Sequence, residues 1–401
     1  MSTPLFAKRA HSIHGSLIDS SISKLQHGPV GIVSFAMGCP SPECIPVGDL
    51  QRIAHMVLGN ADGSALNYGP TEGERGLRTQ LLDLLQAHGQ PVTPDRLLVT
   101  AGGMQGLDLV CKLFVGPGDL VLAEGPTYSN GAAVIQSYEG DVVHVPTDDD
   151  GMVTDQIPDI VARAGRTPRV IYCIPNFQNP TGSTLSLQRR HELLALAEQY
   201  DAVIIDDDPY GWLRYEGAQL PTLLELDDGR GRVVTVHTAS KILAPGLRVG
   251  WTVAAPHVID KMLAAKQGMD TCTNVLGQRL LAGFLEQGLL EPHLAGLRTT
   301  YRHRRDVMVS ALSASFSDVP DVCWTVPKGG FFNWMELPQH VDTDNLSKVA
   351  FSLGVAFVPG GAFSVNGAHS NALRLCFTYG TPAEIGIGVQ RLRAAYEAVS
   401  A

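Results

Sequence analysis

The sequence predicts an α/β chain in two parts: a mainly parallel seven-stranded sheet with helices on both faces, then a smaller α+β unit. Three observations carry this. Seven apolar runs of strand length, at residues 97–100, 120–123, 142–145, 170–174, 203–205, 233–236 and 249–254, follow one another with helical stretches between several of them. That alternation is the mark of parallel strands joined by crossovers. After about residue 290 the pattern shifts to shorter apolar segments at 330–335, 355–358 and 373–377, closed by a helix over 382–399. The length, 401 residues, exceeds one typical domain.

Taken in order, residues 1 to about 30 are polar and weakly periodic, and 31–37 (GIVSFAM) predicts a short strand. Residues 1–46 are too few for an independent core and are expected to pack on the small domain. The large domain is expected over 47–289 and the small one over 290–401. Helical spacing over 47–58 and 74–88 flanks a loop, Asn67-Tyr68-Gly69-Pro70-Thr71. A helix over 105–114 stops at Gly116-Pro117-Gly118, and a helical region over about 276–313 connects the halves.

The bulk properties exclude several classes. A net charge of −10 with no basic block argues against nucleic acid or an anionic membrane as the main partner and favours a small-molecule site. Seven cysteines, an odd number without paired short spacing, predict no metal site and read as reduced core residues. No window reaches transmembrane length and no signal peptide is legible, so the expected location is the cytoplasm.

The chemistry gathers at predicted strand ends, where such sheets place ligands. Residues 233–251, VVTVHTASKILAPGLRVGW, read as strand, loop and strand, with the single amine of Lys241 just past the first strand. Gly102-Gly103-Met104-Gln105-Gly106 follows a strand and opens a helix, which suits a phosphate. A Gly-rich turn for close packing is the competing reading. The strand at 170–174 runs into Asn176-Phe177-Gln178-Asn179-Pro180-Thr181-Gly182, which by itself also reads as a plain turn. The strand at 203–205 runs into Asp206-Asp207-Asp208-Pro209-Tyr210. Adjacent strand residues point to opposite faces, so one carboxylate in the pocket is more economical than a three-carboxylate metal site.

Together these groups suit pyridoxal 5′-phosphate, whose aldehyde needs a lysine imine and whose ring nitrogen needs an acidic partner. The residues resemble the class I/II aminotransferase family of fold type I, in Asn179-Pro-Thr-Gly182, Asp207-x-x-Tyr210 and Ser240-Lys241-x-x-x-Pro-Gly-x-Arg248-x-Gly250. Asn67-Tyr68-Gly69, Phe177-Gln178-Asn179-Pro180, Asp206 to Tyr210 and Leu243 to Arg248 place the resemblance nearest the 2-aminoadipate and kynurenine aminotransferase branch.

The resemblance implies that Lys241 carries the internal aldimine and then shuttles a proton. It implies that Asp207 pairs with the pyridine nitrogen and that Asn179 and Tyr210 bond the phenolic oxygen. Gly103, Met104, Thr238, Ser240 and Arg248 would hold the phosphate, Tyr128 would stack on the ring, and Asp206 and Asp208 would be structural. Tyr68 would reach the phosphate of a neighbouring subunit, which implies a homodimer with shared sites. Arg374 would clamp the substrate α-carboxylate, with Asn179 and Gly38 beside it. The implied activity moves the amino group of an L-α-amino acid to a 2-oxo acid.

Three departures bear on this. Gly103-Met104 stands where the branch usually has Ser-Gln, so backbone N–H groups must carry more of the phosphate contact. Ser20-Ser21-Ile22-Ser23 occupies the place of a segment that often ends in Arg. Met37-Gly38-Cys39 replaces a more usual Gly-Gly-Leu at the pocket wall. The last two fall where side chains are read, so elimination, oxidation or carbon–carbon bond formation on the same fold stays open. A transcription regulator with an aminotransferase-like domain would need a DNA-binding domain ahead of the fold, and only about 30 residues precede the first strand here. A nucleotide oxidoreductase would rest on the Gly-rich turn alone.

Overall fold

The structure is a computed structural model that describes residues 5–13, 15, 31–59 and 62–400. Its strands are β1 (Val33–Ser34), β2 (Leu97–Thr100), β3 (Leu120–Gly125), β4 (Asp141–Asp148), β5 (Gly151–Met152), β6 (Pro168–Cys173), β7 (Val203–Asp207), β8 (Val233–Thr238), β9 (Gly250–Val253), β10 (Cys323–Trp324), β11 (Phe332–Glu336), β12 (Val355–Ala356), β13 (Val358–Pro359) and β14 (Ala372–Cys376). The α-helices are α1 (Val47–Gly59), α2 (Arg75–Ala87), α3 (Gly103–Phe114), α4 (Ser129–Ser137), α5 (Ile157–Ala164), α6 (Leu187–Tyr200), α7 (Leu223–Asp227), α8 (Pro256–Gln267), α9 (Val275–Glu286), α10 (Leu290–Phe316), α11 (Thr343–Ser352) and α12 (Pro382–Ser400).

The main sheet has the order β2-β9-β8-β7-β6-β3-β4-β5. Its five central strands, β8 to β4, pair in parallel. Apolar runs such as 120–123 and 170–173 are buried throughout, because helices cover both faces of a parallel sheet. The expected seven strands are present, and an eighth is added: β5, two residues long, folds back antiparallel on β4. Two residues are too few to show a period, which is why it escapes a pattern search. Strand β9 runs antiparallel to both neighbours. The connection from β8 is a short loop with no crossover helix, and a direct return of that kind must be antiparallel. Local signals set several helix ends: Ser186 caps α6 by accepting from the Arg189 N–H, Thr222 and Glu225 form a capping box on α7, and Gly165 closes α5 in the left-handed region.

The helical region expected at 276–313 is two helices, α9 and α10, broken around Gly288, whose φ is +66°. Beyond them β10, β11, β14 and β13 form an antiparallel sheet. The segment expected as one strand at 355–358 is split between β12, which pairs in parallel with β1, and β13, which pairs with β14. All seven cysteines are free; Cys111, Cys173 and Cys376 are buried, whereas Cys323 is exposed. The expectation of core cysteines fails there because β10 is the edge of its sheet. Ser20 to Ser23 lie outside the described residues.

The backbone approach that shapes the cavity edge is at Gly250, opposite Thr238 of β8 and Thr100 of β2. A Cβ there would lie 2.7 Å from the Gly102 carbonyl carbon and from the His237 oxygen, and 2.9 Å from the Gly103 nitrogen. These are backbone atoms and cannot swing aside. Gly250→Ala is therefore expected to destabilise the fold by about 1–3 kcal/mol, measured as a lower urea midpoint at unchanged slope.

Candidate active site

Because β9 is antiparallel, its amino end lies beside the carboxyl ends of β2, β7 and β8, and one cavity of about 230 Å³ opens there. Gly38, Gly103, Met104, Tyr128, Asn179, Asp207, Tyr210, Thr238, Ser240, Lys241, Arg248 and Arg374 all line it. Of the residues expected in the site, only Tyr68 stands apart. It is 82% exposed on the loop before α2 and does not line the cavity of its own chain.

The floor is made by the end of β7. Asp207 is buried, and its Oδ2 accepts from the Tyr172 hydroxyl at 2.8 Å. Burial pushes its carboxyl up to about 7, against the hydrogen bond from Tyr172 and the positive charge of Lys241. The flanking acids point elsewhere, as strand alternation requires. Asp206 accepts from Thr235 Oγ1 at 3.1 Å, with burial raising its carboxyl to about 8, and Asp208 Oδ1 accepts the Gly211 N–H at 2.9 Å. Among the described residues no cluster of acids, cysteines and histidines forms a metal site.

Lys241 lies past β8 with its Nζ donating to the Gly38 carbonyl at 2.7 Å. Burial holds its pKa below the usual 10.5, so a larger neutral fraction is available as a nucleophile and base. Thr238 Oγ1 donates to Ser240 Oγ at 2.9 Å, and both residues line the cavity together with Gly103 and Met104 at the start of α3. The first-turn N–H groups of α3 have no intrahelical acceptor. Arg248, itself left-handed at φ +53°, donates from Nη2 to the Ala101 carbonyl at 3.4 Å. Gly102, at φ +81°, makes room for it: a Cβ there would lie 2.8 Å from Arg248 Nη2. Hydroxyls, free N–H groups and a guanidinium thus converge on one cradle that suits a phosphate.

On the opposite wall Arg374 is 1% exposed, in the middle of β14. Its Nη1 donates to Asn179 Oδ1 at 3.0 Å and its Nη2 to the Ala36 carbonyl at 2.7 Å, while Nε has no partner. Its Cζ sits 4.2 Å from the Phe332 ring centre. No carboxylate pairs with it among the described residues, so this is a buried cation held by neutral acceptors. Such a group awaits an anion. The bond to Asn179 also sets the amide's sense, oxygen towards the guanidinium, leaving Nδ2 as a donor. Tyr210 is buried beside it.

Several contributors carry no sequence motif. Tyr172 supports Asp207 from β6. Arg190 of α6 is fully buried and donates from Nη2 to Asn176 Oδ1 at 2.8 Å and to the Pro175 carbonyl at 3.1 Å, which pins the approach to Asn179. Asn130, Leu107, Ile174, Pro209, Pro245 and Phe332 complete the lining. A buried Arg inside a helix is indistinguishable in sequence from a solvated one, so no signal marks Arg190.

A carboxylate at the end of β7, an amine past β8, a phosphate cradle and a buried guanidinium define a fold type I pyridoxal phosphate enzyme. Comparison with known proteins agrees. The family model described as aminotransferase class I and II matches residues 47–392. Aromatic-amino-acid aminotransferase 1 of Thermococcus litoralis is 38% identical over 391 residues, 96% of this chain and 93% of that one. The 2-aminoadipate transaminase of Thermus thermophilus is 38% identical over 96% of this chain and 95% of its own. Among solved structures, Pyrococcus horikoshii kynurenine aminotransferase in complex with PMP superposes with a TM-score of 0.91 at 37% identity, covering 98% and 97% of the two chains. The chain belongs to the class I and II aminotransferases and is a pyridoxal phosphate-dependent transferase.

The depressed pKa of Lys241 has a consequence for the apoprotein. A base whose folded pKa is lowered costs stability below that pKa, and the cost fades as pH rises towards the unfolded value of 10.5. Apoprotein carrying Lys241→Met is expected to be more stable than wild type near neutral pH. Its advantage should shrink to nothing as pH approaches 10.5, measured by urea denaturation across that range.

Proposed function

We propose that the protein moves the amino group of an L-α-amino acid to a 2-oxo acid, with Lys241 as the amine that takes the cofactor's aldehyde and then carries the proton. The observation that carries the reading is the pairing, in one cavity, of a buried guanidinium cation at Arg374 with an amine at Lys241 whose pKa burial lowers. One binds a carboxylate, and the other serves as nucleophile and base next to it. Family membership supports transamination over elimination, oxidation or carbon–carbon bond formation.

When bound, pyridoxal 5′-phosphate supplies an aldehyde that condenses with amines and a ring that stabilises negative charge at the substrate's α-carbon. The protein's residues do the rest. Asp207 holds a proton at the ring nitrogen. Asn179 Nδ2 and the Tyr210 hydroxyl would donate to the phenolic oxygen. Thr238, Ser240, Arg248 and the N–H groups of Gly103 and Met104 would hold the phosphate, and Tyr128 would pack against the ring. Arg374 orients the α-carboxylate, with Asn179 and Gly38 beside it, so that Lys241 meets the α-proton rather than another substituent.

The reading extends to assembly. Tyr68, exposed and outside its own cavity, is proposed to reach the phosphate of a partner subunit in a homodimer. Residues 1–46 are proposed to belong with the small domain at 290–401, supported by the parallel pairing of β1 with β12 and by the Cys376 N–H donating to the Phe35 carbonyl. No described helix is long and apolar enough to cross a membrane, and the cysteines are free, which supports the cytoplasm as its location. Relatives named for aromatic, 2-aminoadipate and kynurenine substrates support amino acids with long or aromatic side chains.

Purified protein incubated with such an amino donor and 2-oxoglutarate is expected to exchange the amino group. Lys241→Ala should abolish the imine absorbance and lower turnover by roughly 10³-fold or more; imine absorbance that survives the substitution sinks the assignment. Arg374→Lys should raise KM for both amino and oxo acids roughly tenfold or more, because a point charge replaces a planar fork. An unchanged KM would remove Arg374 from substrate binding.

A further inference from the structure

Asp207 receives its only side-chain hydrogen bond, among the described residues, from Tyr172 of the adjacent strand β6. The register explains the meeting. Tyr172 is opposite Ile205, and Asp207 lies two residues beyond Ile205, so both side chains leave the same face of the sheet. Both are buried. The hydroxyl also needs space, and α4 provides it: a Cβ on Gly131 would lie 2.5 Å from Tyr172 Oη and 2.7 Å from its Cζ.

We propose that Tyr172 is a positioning residue for the amino-transfer reaction: its hydroxyl keeps the buried Asp207 carboxylate ionised and turned to the cofactor's ring nitrogen, in clearance provided by Gly131. This rests on the assignment of Asp207 given above. The physical reason is the surroundings. Burial and the neighbouring carboxyl of Asp208 both push Asp207 towards its neutral form, and only Tyr172 and Lys241 oppose them. Glu124 on β3 and Asp206 are carboxyls raised to about 8 by burial, and both interact with Asp207. Burial likewise raises Tyr172, Tyr210 and Cys173, so these groups stay neutral near pH 7 and add no positive charge. A neutral carboxyl would compete for the ring nitrogen as a donor instead of holding a proton there. The Tyr172 hydroxyl is a donor that favours the charged form.

The test titrates apoprotein with pyridoxal 5′-phosphate, followed by fluorescence quenching between about pH 6 and 8, where such a carboxyl titrates. Wild type, Tyr172→Phe, Gly131→Ala and Asp207→Asn are compared, with thermal melts to confirm folding. Tyr172→Phe is expected to weaken cofactor affinity roughly tenfold near pH 7. The acid limb of binding should move up by about one pH unit, because loss of the donor raises the Asp207 pKa. Gly131→Ala keeps the hydroxyl but displaces it, and should shift the limb in the same direction. If Asp207→Asn weakens binding while Tyr172→Phe leaves both affinity and pH profile as in wild type, Tyr172 is structural only and the inference is overturned. If Asp207→Asn itself binds as wild type does, the assignment of Asp207 falls first and the inference with it.

Discussion

The site depends on one close approach, where β9 returns antiparallel between β2 and β8 and presents Gly250 to the backbones of both. That contact draws three loops together: the Gly102 turn into α3, the Thr238–Lys241 stretch and the Pro245–Arg248 turn. With a longer, helical connection β9 would pair parallel, and Arg248 would emerge at the far end of the sheet from Lys241. The absence of a crossover helix is therefore as consequential as any side chain. It places Thr238, Ser240, Lys241 and Arg248 on one edge.

Around that edge the charges are arranged for a guest rather than for the empty protein. Arg374 is buried against neutral acceptors, Lys241 has its charged form disfavoured by burial, and Asp207 sits near its titration point. Each is a cost that the apoprotein carries, and under the proposed function a bound phosphate, pyridinium and carboxylate would relieve those costs together. The buried acids outside the cavity behave differently: Glu124 and Asp206 are pushed towards the neutral form, so they brace the sheet without adding negative charge to the pocket.

The segment around residues 33–39 closes the arrangement through its backbone. The carbonyls of Phe35, Ala36, Gly38 and Cys39 accept from the Cys376 N–H, Arg374, Lys241 and the Thr378 hydroxyl. One strap thus touches both Lys241 and Arg374. Gly38 allows the fit, since a Cβ there would lie 3.3 Å from the Phe332 ring. Because these contacts use main-chain oxygens, Met37 and Cys39 can replace more usual residues without loss of the strap.

Much of this is legible in the sequence because it is local. Apolar runs of strand length mark the sheet, and Asn179, Asp207, Tyr210, Lys241 and Arg248 each sit within a few residues of a strand end, where a short motif records both their identity and their spacing. Arg374 is legible through the same kind of match to the family. The tertiary structure alone decided what depends on neighbours distant in the chain: β5 as an eighth strand, the support of Asp207 by Tyr172 through Gly131, the pinning of the Asn179 loop by Arg190, and the main-chain strap over Lys241. A hydrogen bond between residues 35 positions apart leaves no period and no spacing in the sequence. It arises only when two parallel strands take a register that sends both side chains to one face.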